Sequence, residues 1–300
     1  MEPLSVGNIV SAGLRIYRDN FAKYFKIAFL GYLWIFAPLV ILVIAVAAIS
    51  AIFVNGSSYS LGLFVLVLVV ALVTLFYASA RFAAMSGLIA RLAYGEVAEQ
   101  PEAVAEAQRQ VKPKMWSFLF AGILSSLIFF GVAICYFLLS GIVAYGGFAL
   151  GQNSAIAIAI TVVTSLVFII GAIWLVSRLF LIELPLAVES GVTASGTIGR
   201  SWELTKGAVG KIQLVIFISF LISIPVIIAV QIVSTIAQVA IAAILSNSPP
   251  AITVGAFYVL YVAFTLASGA FMIPFWQSIK AVIYYDLRVR REGMGMNLRK

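Results

Sequence analysis

The sequence predicts an all-α integral membrane protein. Its six transmembrane helices form three hairpins, each preceded by an amphipathic interfacial helix. Three observations predict it. First, the 300 residues are 63% hydrophobic and only 10% charged, against about 25% charge in an ordinary soluble domain. So little charge cannot cover a surface facing water, so much of the surface must face lipid. Second, charge is segregated: no Asp, Glu, Lys or Arg occurs in residues 27–80, 115–177 or 212–279. Third, these blocks of 54, 63 and 68 residues each carry a turn signal near the middle: NGSS at 55–58, GQNS at 151–154 and SNSPP at 246–250.

A helix crosses a bilayer with about 20 apolar residues, so each block is too long for one span and suits two. A β-barrel is excluded because the apolar runs are continuous rather than alternating. The first run, residues 27–54, follows a more polar stretch of 26 residues. It is longer than the roughly 7–15 residues of a signal-peptide core, and it reads as a retained span.

All 19 Lys and Arg lie outside the three blocks: four before the first, five and four in the two connections, six after the third. By the positive-inside rule the N-terminus, both connections and the C-terminus are cytoplasmic. All 11 acidic residues share that side. A net charge of +8 therefore reads as topology and not as a nucleic-acid footprint. The expected location is a bacterial-type cytoplasmic membrane.

Each hairpin has a polar prelude. Val6, Ile9, Val10, Gly13, Leu14, Tyr17 and Phe21 fall on one helical face, with Asn8, Arg15 and Arg18 elsewhere on the wheel. Pro101 can open a second helix carrying Val104, Ala107 and Val111 on one side. Thr193 or Ser195 can cap a third, carrying Ile198, Trp202 and Val209. An offset of 185 pairs Arg15 with Arg200, Tyr17 with Trp202 and Lys26 with Lys211, while an offset of 102 pairs Arg178 with Lys280 and Gly191 with Gly293. A single membrane domain of three units follows, at 1–95, 96–191 and 192–293, with a basic tail at 294–300. The expected interfacial contacts are Arg15, Tyr17, Arg200, Trp202 and Lys206, with the Trp202 indole at headgroup depth.

The stretches GVTASGTIGRSWELTKG, SRLFLIELPLAVE, LRIYRDNF and YYDLRVRREG resemble the glycerophosphodiester phosphodiesterase membrane-domain family. Members of that family carry such a helical region before a soluble phosphodiesterase barrel, or alone. The resemblance implies the helical fold. It does not imply hydrolysis, because only 20 residues follow Lys280 and the enzymatic residues have no positions to occupy.

Candidate chemistry is sparse. The deepest charges, Arg81, Arg178, Glu183 and Lys280, form with Asp286 a candidate cytoplasmic polar cluster. It reads either as a pocket for an anionic headgroup or peptide, or as structural ion pairs and snorkelling side chains. Gln231, Ser234 and Gln238 recur at helical spacing in the fifth span. With Pro225 and Pro274 they read either as a path beside broken helices or as packing hydrogen bonds and tolerated kinks. Gly122, Ser125 and Ser126 suggest close helix approach. There is no histidine and a single cysteine, Cys135, so no metal cluster, Cys–His pair or internal disulfide is available. The span centres carry no carboxylate for ion coupling, and no phosphate-binding GxxxxGK[ST] loop is present. No catalytic, cofactor-binding or metal residue is assigned. The expected protein is a non-enzymatic scaffold or assembly and homeostasis factor, working through membrane lipids or another membrane protein. The alternative is a permease-like subunit moving a lipid or small amphipathic solute, powered by a separate ATPase.

Overall fold

A computed structural model describes residues 4–54, 60–149, 155–246 and 250–293. The turn signals at 55–58 and 151–154, most of the one at 246–250, and the basic tail lie outside the described residues. Among the described residues there are ten α-helices and no strand. They are α1 (Val6–Asp19), α2 (Phe21–Val54), α3 (Ser60–Val97), α4 (Val104–Val111), α5 (Met115–Ala149), α6 (Ala155–Leu179), α7 (Glu183–Val188), α8 (Ala194–Thr205), α9 (Val209–Ile244) and α10 (Pro250–Glu292). Six stretches, built on α2, α3, α5, α6, α9 and α10, are long and apolar enough to cross a membrane. The order short, long, long recurs three times, with α7 as an addition to the second round.

Consecutive long helices pack on each other: α2 on α3, α5 on α6 and α9 on α10. Their charged ends gather. Lys23 at the start of α2 pairs with Glu96 at the end of α3 at 3.2 Å, and Lys211 at the start of α9 pairs with Asp286 near the end of α10 at 2.9 Å. Arg288 of α10 donates to the Tyr94 hydroxyl of α3 at 3.3 Å. The α2–α3 and α9–α10 pairs therefore each run away from one common end and return to it.

The apolar core sits at that end. Ile9, Tyr24, Ile89, Leu92, Leu181, Leu184, Ile212, Ile279 and Tyr284 are all buried, whereas Phe137 is 71% and Ile170 67% exposed along the spans. Lipid is as apolar as these side chains and gives helices no hydrophobic reason to hide them. The aqueous border does.

The prelude helices meet protein. The face of α1 bearing Ile9, Val10, Gly13 and Ile16 is buried, and α1 packs chiefly on α10 and α9. Helix α4 starts three residues after Pro101 and buries Ala107 and Val111. Thr193 caps α8, its hydroxyl accepting from the Gly196 amide at 3.1 Å. The expected face of α8 is corrected at Val209, which starts α9; the face of α8 buried against protein carries Thr197, Ser201, Leu204 and Thr205. Trp202 is 38% exposed and Ile198 is partly buried. The reason is polar, because α8 covers the backbone where α6 ends and supplies its hydroxyls. The close approach expected at Gly122 is also corrected, since nothing lies within 4 Å of a Cβ built there. Close approaches occur instead at Gly13, Gly87 and Gly269, which lie against Ile279, Phe118 and Tyr32.

A cavity beside a buried helix break

The site begins where α6 stops. Residues 180–182 leave the helix and α7 restarts at Glu183, turning Leu181, Leu184, Leu186 and Ala187 into the core. A helix end frees carbonyls that need donors; local amides satisfy those of Leu179, Leu181 and Pro185, and side chains from other elements satisfy five more. Ser201 Oγ donates to the Arg178 carbonyl at 2.8 Å, and Thr197 Oγ1 donates to that of Ile182. Arg91 Nη1 donates to the Ala187 carbonyl at 2.8 Å. Lys114 Nζ donates to those of Leu186 and Glu189 at 2.9 and 2.8 Å. The two cations also complement the negative pole at the C-terminus of α7.

This break delivers the Glu183 carboxylate to α10. Lys280 Nζ lies 3.2 Å from Glu183 Oε2, and the Gln277 amide donates to the same oxygen. The Gln277 amide also donates to Ser86 Oγ of α3 at 2.7 Å. Gln277 is 3% exposed, and its Oε1 is buried with no hydrogen-bond partner. Gln277 and Lys280 are three residues apart and so neighbours on one face of α10.

These groups floor an open cavity of about 490 Å³, walled by Tyr32, Phe82, Phe129, Val176, Met272 and Trp276. Ser125 of α5 joins the lining. Helix α3 packs on α5 and on α10, while α5 and α6 make no comparable contact with α10, which leaves the gap. Two apolar grooves adjoin it. One of about 590 Å³ between α3 and α5 shares Phe82, and one of about 180 Å³ between α2 and α10 shares Tyr32. The Tyr32 and Phe82 rings, 4.8 Å apart, stand between the grooves. From Gly269 to Lys280 the lining of α10 covers about 16 Å at about 1.5 Å per residue. The cavity thus reaches from the first charge of α10 into its apolar stretch.

The expected polar cluster is resolved into separate sites. Only Glu183 and Lys280 meet. Asp286 instead takes Lys211 at 2.9 Å and Arg290 at 3.0 Å, and accepts from the Leu4 amide at 3.1 Å. Arg178, 6% exposed, has no carboxylate partner among the described residues. Its guanidinium lies 4.4 Å from the Trp202 ring centroid and 5.7 Å from that of Trp174, and it donates to Thr205 Oγ1 at 3.2 Å. Arg81 lies 4.8 Å over Trp34. Both arginines fit the stacking preference of a weakly hydrated planar cation.

The prelude residues divide likewise. Arg200 bridges Glu189 at 3.1 Å and also pairs with Glu292. Burial works against its charge, but the bond and attraction of Glu189 prevail and hold the guanidinium above its ordinary pKa. Tyr17 donates to the Phe271 carbonyl at 3.3 Å, and burial pushes its phenol up. The Lys206 carbonyl accepts from Arg291. Arg15 and the Lys206 side chain are exposed.

The fifth-span residues are partly brought together. Gln238 donates to Ser234 Oγ at 2.9 Å. Gln231 and Ser234 line a smaller cavity of about 100 Å³ with Tyr261, Thr265 and Ser268 of α10. The prolines do not break their helices: α9 continues through Pro225 and α10 through Pro274. Pro225 is exposed and Pro274 is buried.

Gln277, Ser86 and Tyr32 are absent from the sequence-based expectation. The one available signal is Gln277, an amide one helical turn before Lys280. Among the described residues no three His, Cys, Asp or Glu gather to hold a metal ion. No family model, curated protein or solved structure matches this chain.

Proposed function

We propose that this chain is a multi-pass protein of a bacterial-type cytoplasmic membrane, with both termini in the cytoplasm. It binds one amphipathic, lipid-like molecule between its helices and acts through that contact rather than by making or breaking bonds. This is the lipid-contact form of a scaffold or homeostasis factor. The observation that carries it is the polar floor of Glu183, Gln277 and Lys280 beneath apolar walls and two apolar grooves. The pairing of Glu183 with Lys280 supports binding over catalysis, because one carboxylate oxygen is already committed to the ion pair. Kinship with the membrane domains of glycerophosphodiester phosphodiesterases belongs to the same proposal and concerns the fold only.

A permease-like role is favoured by a separate observation. One stripe of α10 lines both cavities, with Met272 common to them. From Tyr261 to Lys280 the stripe covers about 28 Å, close to the roughly 30 Å of a hydrocarbon core.

Purification into nanodiscs followed by native mass spectrometry tests the proposal. A single retained phospholipid per chain is expected, and Ser125→Phe, which adds a ring to the cavity wall, should lose it while keeping helical content. A retained lipid together with a stoichiometric ATPase selects the permease reading. A chain carrying no lipid but a stoichiometric membrane-protein partner overturns both.

A further inference from the structure

We infer that the cavity selects a zwitterionic headgroup bearing a primary ammonium beside a phosphate, the phosphoethanolamine type. The inference rests on the lipid-binding reading above and adds its chemistry. The floor offers unused acceptors and unused donors side by side. Gln277 Oε1 is a buried acceptor with no partner, and a buried polar atom without one is costly. Both bonds to Glu183 land on Oε2, so among the described residues Oε1 takes none. These two oxygens call for a donor. Lys280 has three N–H groups and spends one on Glu183, so it still seeks an acceptor.

Charge narrows the choice. Glu183 and Lys280 cancel, so the floor is neutral and gives a net-anionic head no excess attraction. A trimethylammonium head has no N–H for Gln277 Oε1 and would leave it unpaired. An ethanolamine phosphate supplies both needs on one short link. Its ammonium reaches Gln277 and Glu183, and its phosphate reaches Lys280, one helical turn from Gln277. The acyl chains then follow the grooves flanking Tyr32 and Phe82, which are apolar in their lining.

Lipid titration of the purified full chain, read by native mass spectrometry, tests this without any substitution. The probes are phosphatidylethanolamine, its mono- and dimethyl forms, phosphatidylcholine and phosphatidylglycerol, all with identical acyl chains. Affinity is expected to fall as N–H donors are replaced, by about tenfold from the primary amine to the trimethyl form, the worth of one well-made hydrogen bond. Gln277→Met, similar in volume but lacking the carbonyl, should bring the series within about twofold if that bond supplies the tenfold, while phosphatidylcholine still binds. Equal affinity across the series in the unsubstituted chain, or tighter phosphatidylglycerol, overturns the headgroup assignment and leaves the cavity reading intact. No saturable binding of any of the five overturns the cavity reading itself.

Discussion

Gly13 and Gly122 are each a bare hydrogen on a helix face, yet their surroundings are opposite. A Cβ at Gly13 would lie 2.5 Å from Ile279 Cδ1 and 3.2 Å from the Ile279 Cα, whereas nothing lies within 4 Å of one at Gly122. A flexible methyl can move, but a helix backbone in a packed core cannot move cheaply. Gly13→Ala should therefore lower the thermal unfolding transition in detergent, at a cost of about 1–3 kcal/mol. Gly122→Ala should be neutral or stabilising, because alanine is a better helix former by about 1 kcal/mol. An equal loss at both positions contradicts this packing. The same logic bears on the cavity: Tyr32 stands against Gly269, so its ring keeps its place in the lining only while that position has no side chain.

At the scale of the element, α7 depends on others. It is six residues long, too short to be stable alone, and its carbonyls are held by Arg91 and Lys114. Replacing both cations by methionine should cost about 1–3 kcal/mol for each charged hydrogen bond lost. Hydrogen exchange should then speed up at the amides of Glu183–Val188, with α9 unaffected. Uniform acceleration along the chain would show that the two cations support the whole fold and not this cap. The contrast between α7 and the long helices explains what could be read in advance. Long spans announce themselves through missing charge, because lipid forbids an unpaired ion whatever the neighbours are. The cap at Thr193 is equally local, one hydroxyl and one amide three residues on. The break after Leu179 is not local: its donors come from α3, from the residues just before α5, and from α8. Gln277 was hidden for a related reason, since one amide in an apolar helix does not reveal that Ser86 and Glu183 converge on it. Gly122 misled because a small residue signals close packing only if a partner faces it.

At the scale of the molecule, burial is concentrated at one end. The spans present side chains such as Phe137 and Ile170 outward, while α1, α4, α7 and α8 wrap a buried core at the charged end. Lys23–Glu96, Arg91–Glu102, Lys211–Asp286 and Arg200–Glu189 all belong to that end. An aqueous border on one side of a bilayer accounts for both features: it drives the core together and solvates the charge. In the proposed orientation the cavity opens at the depth of one leaflet's headgroups, and a lipid is its proposed occupant. Single cysteines at Arg15 and Lys206, placed in a Cys135→Ser background and probed with a membrane-impermeant maleimide in oriented vesicles, test this arrangement directly. Both should label from the cytoplasmic face and neither from the opposite face; labelling of either from the opposite face contradicts it.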